Sequence, residues 1–305
     1  LIDKGANVNA IGDYNMTPLL WSCEKGLEFL VTILIQNGAK IDARDANGNT
    51  PLLLSCKNDI LPIVIVLITS GADMNAKNNS GNTPLMISCI NGSESISFTL
   101  INIKYGVDKN ASTPGHIVLN IKYGVDKNAS TPGHRVFNIK DGVDKNARNN
   151  FGDTPLIMSC EKGRESIALK LIEKGADVNI ANTEGKTPLI VSCENNLVDV
   201  AFTLVKNGAD INATTSDRMT PLLWSCKNHF APIALFLIQT GADVNAINSY
   251  GQTPLELLGD KLPAVKAALI AKGAKRGGRR NLRKTRNRKN RGNHGNRSSR
   301  KHRHI

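Results

Sequence analysis

Apolar positions along this chain fall into two alternating kinds of block. The first kind opens on Thr-Pro and turns apolar at once, as in TPLLWSCEKG from Thr17 and TPLIVSCENN from Thr187. The second follows after a short polar break, as in ESIALKLIEKGAD from Glu165 and VDVAFTLVKNGAD from Val198. Thr suits a helix N-cap, and Pro suits the first helical position, where its missing N–H costs nothing, so each Thr-Pro predicts a helix start. The second block has helical apolar spacing, and Gly175 or Gly208 stops it in the left-handed terminating conformation. Pro62, Pro232 and Pro263 fall in the first turn of such second helices, where proline is tolerated. Polar segments such as residues 182–186 (Asn-Thr-Glu-Gly-Lys) then predict a tight turn at a projecting loop tip. The predicted unit is helix, turn, helix, hairpin-like loop.

This unit repeats. Thr-Pro-Leu stands at Thr17, Thr50, Thr83, Thr154, Thr187, Thr220 and Thr253, and every gap but the third is 33 residues. Stacked units bury a core between neighbours and present a long surface, so function is expected on a surface and not in a pocket. The chain opens with LIDKGANVNA, which matches the end of a unit and predicts earlier units upstream of Leu1.

With these two motifs in register, the chain resembles the ankyrin-repeat family, whose units open on Gly-x-Thr-Pro-Leu-His and close on Gly-Ala-Asp-Val-Asn. The resemblance covers residues 1–101 and 148–274. A tetratricopeptide array, with a period near 34, lacks both motifs. The resemblance implies an all-α solenoid of stacked helix-turn-helix units with hairpin-like loops. In place of the family's His, this chain carries Leu20, Leu53, Met86, Ile157, Ile190, Leu223 and Glu256. That His would hydrogen-bond loop backbone, so apolar packing is expected to replace it and the rigidity of the loops is put in question.

Residues 102–147 break the period. NIKYGVDKNASTPGHIVL (102–119) is followed by NIKYGVDKNASTPGHRVF (120–137), and a third copy begins at Asn138. A unit of 18 residues is too short for two helices. The expectation is one short helix per unit, roughly 116–122 and 134–140, with two units forming a poorly packed pseudo-repeat that acts as a joint. Duplication without functional meaning is the alternative.

Composition adds two points. Only 4% of residues are aromatic, so small and aliphatic side chains must pack the core. Residues 275–305 hold 14 Lys or Arg and no acid, leaving the array before them near neutral. This tail has almost nothing to bury and is expected to be disordered when free. Its Arg279, Arg280, Arg283, Lys284, Arg286, Arg288, Lys289 and Arg291 are candidates for holding nucleic acid or another polyanion, or for serving as a nuclear-entry signal.

Cys23, Cys56, Cys89, Cys160, Cys193 and Cys226 each lie six residues after a Thr-Pro threonine, where the family has a small buried Ala. They are read as core thiols, because register-equivalent positions about 8–10 Å apart exceed the reach of a disulfide. Unpaired thiols point to a reducing compartment, cytoplasm or nucleus. Trp21 and Trp224 share a position with Leu54 and Val191 and are also read as core. Neither phosphate-cradling glycine motifs nor a zinc signature is present, and nothing in the sequence argues for an enzyme, a cofactor or a metal.

The candidate surface is therefore for another protein. In the family, the loop tips and the exposed end of the first helix form the concave binding face. Carried over by position, this gives Tyr14, Met16, Asn47, Asn49, Phe151, Asp153, Glu184, Lys186, Asp217, Met219, Tyr250 and Gln252 on the tips. Glu24, Lys25, Lys57, Asn58, Glu161 and Lys162 are the corresponding helix-end positions. Tyr14, Phe151 and Tyr250 stand out, because aromatic anchors bring contact area with few rotatable bonds. The last unit, with Glu256, Asp260, Lys261, Lys266 and Lys272, reads as a polar cap.

Overall fold

A computed structural model describes residues 4–103 and 142–276, and the backbone of 117–118 and 136–137. Two compact units divide at Ala213/Thr214. In the first, the opening helices are α1 (Pro18–Lys25), α3 (Pro51–Lys57), α5 (Pro84–Asn91), α7 (Pro155–Glu161) and α9 (Pro188–Glu194). Their antiparallel partners are α2 (Glu28–Gln36), α4 (Leu61–Thr69), α6 (Glu94–Asn102), α8 (Glu165–Glu173) and α10 (Val198–Lys206). The second unit holds α11 (Pro221–Lys227), α12 (Ala231–Thr240), α13 (Pro254–Leu258) and α14 (Pro263–Ala271).

Every opening helix starts as the Thr-Pro pattern predicts. The threonine hydroxyl accepts the N–H three residues on, as in Leu20 N–H to Thr17 Oγ1 at 3.3 Å and Ile157 N–H to Thr154 Oγ1 at 3.2 Å, with Pro at the first helical position. The apolar residues that replace the family's His are buried at Leu20, Leu53, Met86, Ile157, Ile190 and Leu223. Glu256 does something else. Its carboxylate accepts the N–H of Thr253 at 3.1 Å while Thr253 caps its own helix, forming a reciprocal capping box. The serine before each cysteine is also buried, and it is satisfied within its own helix, as in Ser159 Oγ donating to Pro155 O at 2.8 Å.

The six cysteines are 0% exposed, and none is bridged in a disulfide. Burial pushes the thiols of Cys23, Cys89, Cys160 and Cys226 up to about 12, and raises that of Cys56 further still. Trp21 departs from its expected place. It is 47% exposed, whereas Leu54, Met158 and Val191 at the same register are buried. Ile87 and Trp224, also at this register, are half-buried, and no described α-helix precedes α1 to cover Trp21.

The third and fourth repeats contact each other directly. Helix α5 packs on α7, and α6 on α8. Asn75 Nδ2 donates to Gly142 O at 2.8 Å, Lys77 Nζ to Arg148 O at 2.8 Å, and Asn150 N–H to Ser80 O at 3.1 Å. The pseudo-repeat expected between them falls on residues 104–141, which apart from 117–118 and 136–137 lie outside the described residues. Residues 142–147, assigned by sequence to the tandem segment, instead close the third repeat. Short helices were expected at 116–122 and 134–140, but Ile117–Val118 pairs antiparallel with Val136–Phe137, Ile117 opposite Phe137. β-Branched residues at both copies favour this extended backbone. The remainder of both stretches lies outside the described residues, as does the tail beyond Arg276. No helix among the described residues is long and apolar enough to cross a membrane.

Candidate protein-interaction surface

The loop tips after the first are built on one polar side chain each; at the Tyr14 tip Gly12 holds that register. Asp45 Oδ1 accepts the N–H groups of Asn47 and Asn49, both at 2.8 Å. Asn149 Oδ1 accepts those of Phe151 and Asp153, both at 2.9 Å, and Asn182 Oδ1 those of Glu184 and Lys186, both at 3.0 Å. In the second unit, Asn248 Oδ1 does the same for Tyr250 at 3.0 Å and Gln252 at 2.9 Å. These Asx turns replace the missing His as the source of loop order.

Tips are then tied to one another. Within the first unit, Asn78 Nδ2 donates to Asn49 Oδ1 at 3.1 Å, Asn149 Nδ2 to Asn82 Oδ1 at 3.1 Å, and Asn182 Nδ2 to Asp153 Oδ1 at 2.9 Å. Backbone bonds run alongside, from Ala46 N–H to Tyr14 O at 2.8 Å and from Asn79 N–H to Asn47 O at 3.0 Å. In the second unit, Ser249 N–H donates to Asp217 O at 2.9 Å. Close approach explains the tip glycine. Gly152 has φ +78°, and a Cβ there would stand 3.1 Å from the Thr183 nitrogen.

Twelve tip positions were candidates, and the structure sorts them. Tyr14, Phe151 and Tyr250 project into solvent, at 82%, 65% and 77% exposure. Asn47, Glu184 and Asp217 are exposed beside them, while Met16, Lys186 and Gln252 are half-buried. Asn49, Asp153 and Met219 are a correction: all three are buried, and Asn49 and Asp153 are spent as acceptors in the ladder. An unpaired polar group there would cost more than its loss of contact to a partner, so these side chains are structural. The helix-end residues Glu24, Lys25, Lys57, Asn58, Glu161 and Lys162 are all exposed. Lys186 joins the tip to the helix end, 3.6 Å from Glu184 and 3.1 Å from Glu194.

Two features had no sequence signal. In the second unit, Lys227 Nζ sits 4.4 Å from the Trp224 ring centroid, a cation–π contact on the end of α11. An open cleft of about 710 Å³ lies beside Tyr250, lined also by Gln252, Leu255, Glu256, Asp260 and Arg276. Among the described residues, no three His, Cys, Asp or Glu side chains gather as a metal site requires.

Helix pairs stacked in register, with projecting loops tied tip to tip, define a solenoid repeat protein. The chain belongs to the ankyrin-repeat family. The family model described as "Ankyrin repeats (3 copies)" matches residues 30–113 and 129–215, and the one described as "Ankyrin repeats (many copies)" matches 204–258. The first of these stretches runs through the first Gly-Val-Asp-Lys-Asn-Ala copy, at 106–111, although the structure closes the third repeat with the third copy. No curated protein matches the chain. Among solved structures, it resembles the ankyrin repeat domain of Bcl-3, described as a unique member of the IkappaB protein family, at 24% identity and a TM-score of 0.63, covering 86% of this chain and 100% of that one. It also resembles the ankyrin repeat domain of human ASB11, at 19% identity and a TM-score of 0.61, covering 85% of this chain and 99% of that one. Both likenesses are of fold. Ankyrin repeats as a class are protein-interaction domains without catalysis of their own.

Proposed function

We propose that this protein is a non-catalytic interaction scaffold that holds another protein on its loop tips and on the exposed ends of its opening helices. The observation that carries the reading is the exposure of Tyr14, Phe151 and Tyr250, with the Phe151 and Tyr250 tips fixed by Asx turns and the Tyr14 carbonyl bonded to the next tip by Ala46 N–H at 2.8 Å. An aromatic held in solvent on an ordered loop loses little entropy on binding, which is what makes such side chains effective anchors. If the rings merely packed on neighbouring loops they would be covered, and they are not. The Glu and Lys positions beside them would form the polar rim.

The test is capture from a nuclease-treated lysate by the whole chain and by a Tyr14→Ala, Phe151→Ala, Tyr250→Ala variant of unchanged circular dichroism. A protein retained by the first and lost by the second supports the reading. Equal retention by both contradicts it.

A further inference from the structure

Three cations follow one another on the hairpin loops of the first unit. Arg44, Lys77 and Arg148 each lie six residues before a helix-capping threonine, and all three are exposed. Arg44 Nη1 donates to Gly48 O across its own hairpin at 3.0 Å and to Lys77 O of the next repeat at 2.6 Å. Lys77 Nζ donates to Arg148 O at 2.8 Å. Arg148 donates to Gly152 O through Nε at 3.3 Å and to Ala181 O through Nη2 at 2.8 Å. Each charged head is therefore held against the backbone of the equivalent residue one repeat on. Ala181, at the same register, ends the row.

The charge of this row is uncompensated. Among the described residues, none of the three cations forms an ion pair. Carboxylates of the same hairpins are used elsewhere: Asp45 Oδ1 holds the N–H groups of Asn47 and Asn49, and Asp153 Oδ1 accepts Asn182 Nδ2. Bonds to carbonyls leave the positive charge in place, and each guanidinium keeps N–H donors that no carbonyl uses. They also hold long side chains in one geometry before any anion arrives, which lowers the entropy lost on binding.

We infer that this row takes an acidic segment of the protein partner, extended as a polyproline II helix with a carboxylate at every third residue. Stacked repeats place equivalent positions about 8–10 Å apart. Polyproline II rises about 3.1 Å per residue with three residues per turn, so every third side chain returns to one face after about 9 Å. A β-strand returns after about 6.6 Å. Two turns of α-helix take about 10.8 Å, which falls out of step by the third cation. A nucleic-acid strand carries a charge about every 3.4 Å of its axis, so three cations this far apart leave most of its phosphates unmet. The row lies on the same hairpins as Asn47 and Phe151, so this partner chemistry rests on the tip reading, although it draws on none of the three exposed rings.

The probe is a fluorescent peptide, Glu-Pro-Pro-Glu-Pro-Pro-Glu, compared with an isomer whose three Glu are adjacent, each titrated into the full chain by anisotropy. The full chain should bind the spaced peptide more tightly than the isomer. Arg44→Gln with Lys77→Gln and Arg148→Gln should weaken the spaced peptide about fivefold or more and leave the isomer little changed. Basic residues beyond Arg276 are common to both proteins and do not produce that difference. Arg44→Lys with Arg148→Lys keeps the charges and should keep the binding; a loss as large as that of the Gln variant makes the row structural and overturns the proposal. Equal affinity for both peptides, or a larger loss for a single-stranded oligonucleotide than for the spaced peptide, overturns it as well. Carbodiimide coupling on the unaltered chain supplies a second readout. An amide between Lys77 Nζ and a peptide Glu is expected, and coupling confined to other lysines overturns the proposal. The Tyr14→Ala, Phe151→Ala, Tyr250→Ala variant should bind the spaced peptide as the full chain does, which separates a failure here from a failure of the tip reading.

Discussion

The carbonyl of Phe151 accepts two hydrogen bonds from Thr183, from its N–H at 3.0 Å and from its hydroxyl at 2.8 Å. The most exposed ring of the middle repeats therefore stands on backbone that the next repeat holds in place, and the side chain itself is left for solvent.

This separates two substitutions. Phe151→Ala removes an exposed ring and should change stability by no more than about 0.5 kcal/mol, while weakening partner capture. Thr183→Val keeps the backbone bond and loses the hydroxyl bond, with an expected cost of about 0.5–1.5 kcal/mol. Urea unfolding of both variants checks the order.

Arg218 occupies the tip position where five other repeats carry glycine, and it holds φ at +57°. Left-handed backbone costs a side-chain-bearing residue roughly 1–2 kcal/mol. Glycine relieves that strain but adds about 0.4–1 kcal/mol of unfolded-state entropy to be lost. Arg218→Gly should therefore stabilise the protein modestly, and a raised thermal midpoint is the expected readout.

The buried thiols give a pH dependence with a definite sign. Cys23, Cys89, Cys160 and Cys226 hold their protons up to about 12 in the folded chain, against an ordinary value of 9.0, because burial penalises the thiolate. A raised folded pKa means that the unfolded chain releases protons first, so stability is fully present below pH 9 and declines as pH rises towards 12. Iodoacetamide at pH 8 should leave all six cysteines unmodified in the native protein and label them after unfolding in guanidinium.

Removing residues 102–137 takes out two whole 18-residue copies and leaves the third to close the repeat. The third and fourth repeats bond directly in the structure, so the shortened chain should keep its helix content by circular dichroism. Its thermal midpoint should be no lower than that of the full chain, because a loop-closure cost has been deleted.

Much of this was legible in the sequence. Thr-Pro marks local chemistry, a hydroxyl cap and a residue without an N–H, so helix starts could be placed residue by residue. Cysteine in register with a small core position likewise announced its burial. What sequence could not give was long-range. Asn49 and Asp153 look like solvent-facing tip residues, and only the approach of Asn78 and Asn182 from the next repeat makes them structural. Trp21 matches core positions by register, yet its exposure depends on what lies against it. The tandem copies misled for a related reason: three identical hexapeptides carry no information on which one is seated.

The central claim is that the tip row, and not exposed aromatic surface in general, engages a partner. Phe29 offers the control, since it is 80% exposed but lies on α2, the second helix of its repeat. A photoreactive benzoylphenylalanine placed at Phe151 or at Phe29, followed by irradiation in lysate, tests the claim directly. A discrete protein adduct at Phe151, absent at Phe29, is the predicted result. Adducts of equal yield and pattern at both positions, or none at Phe151, would contradict it.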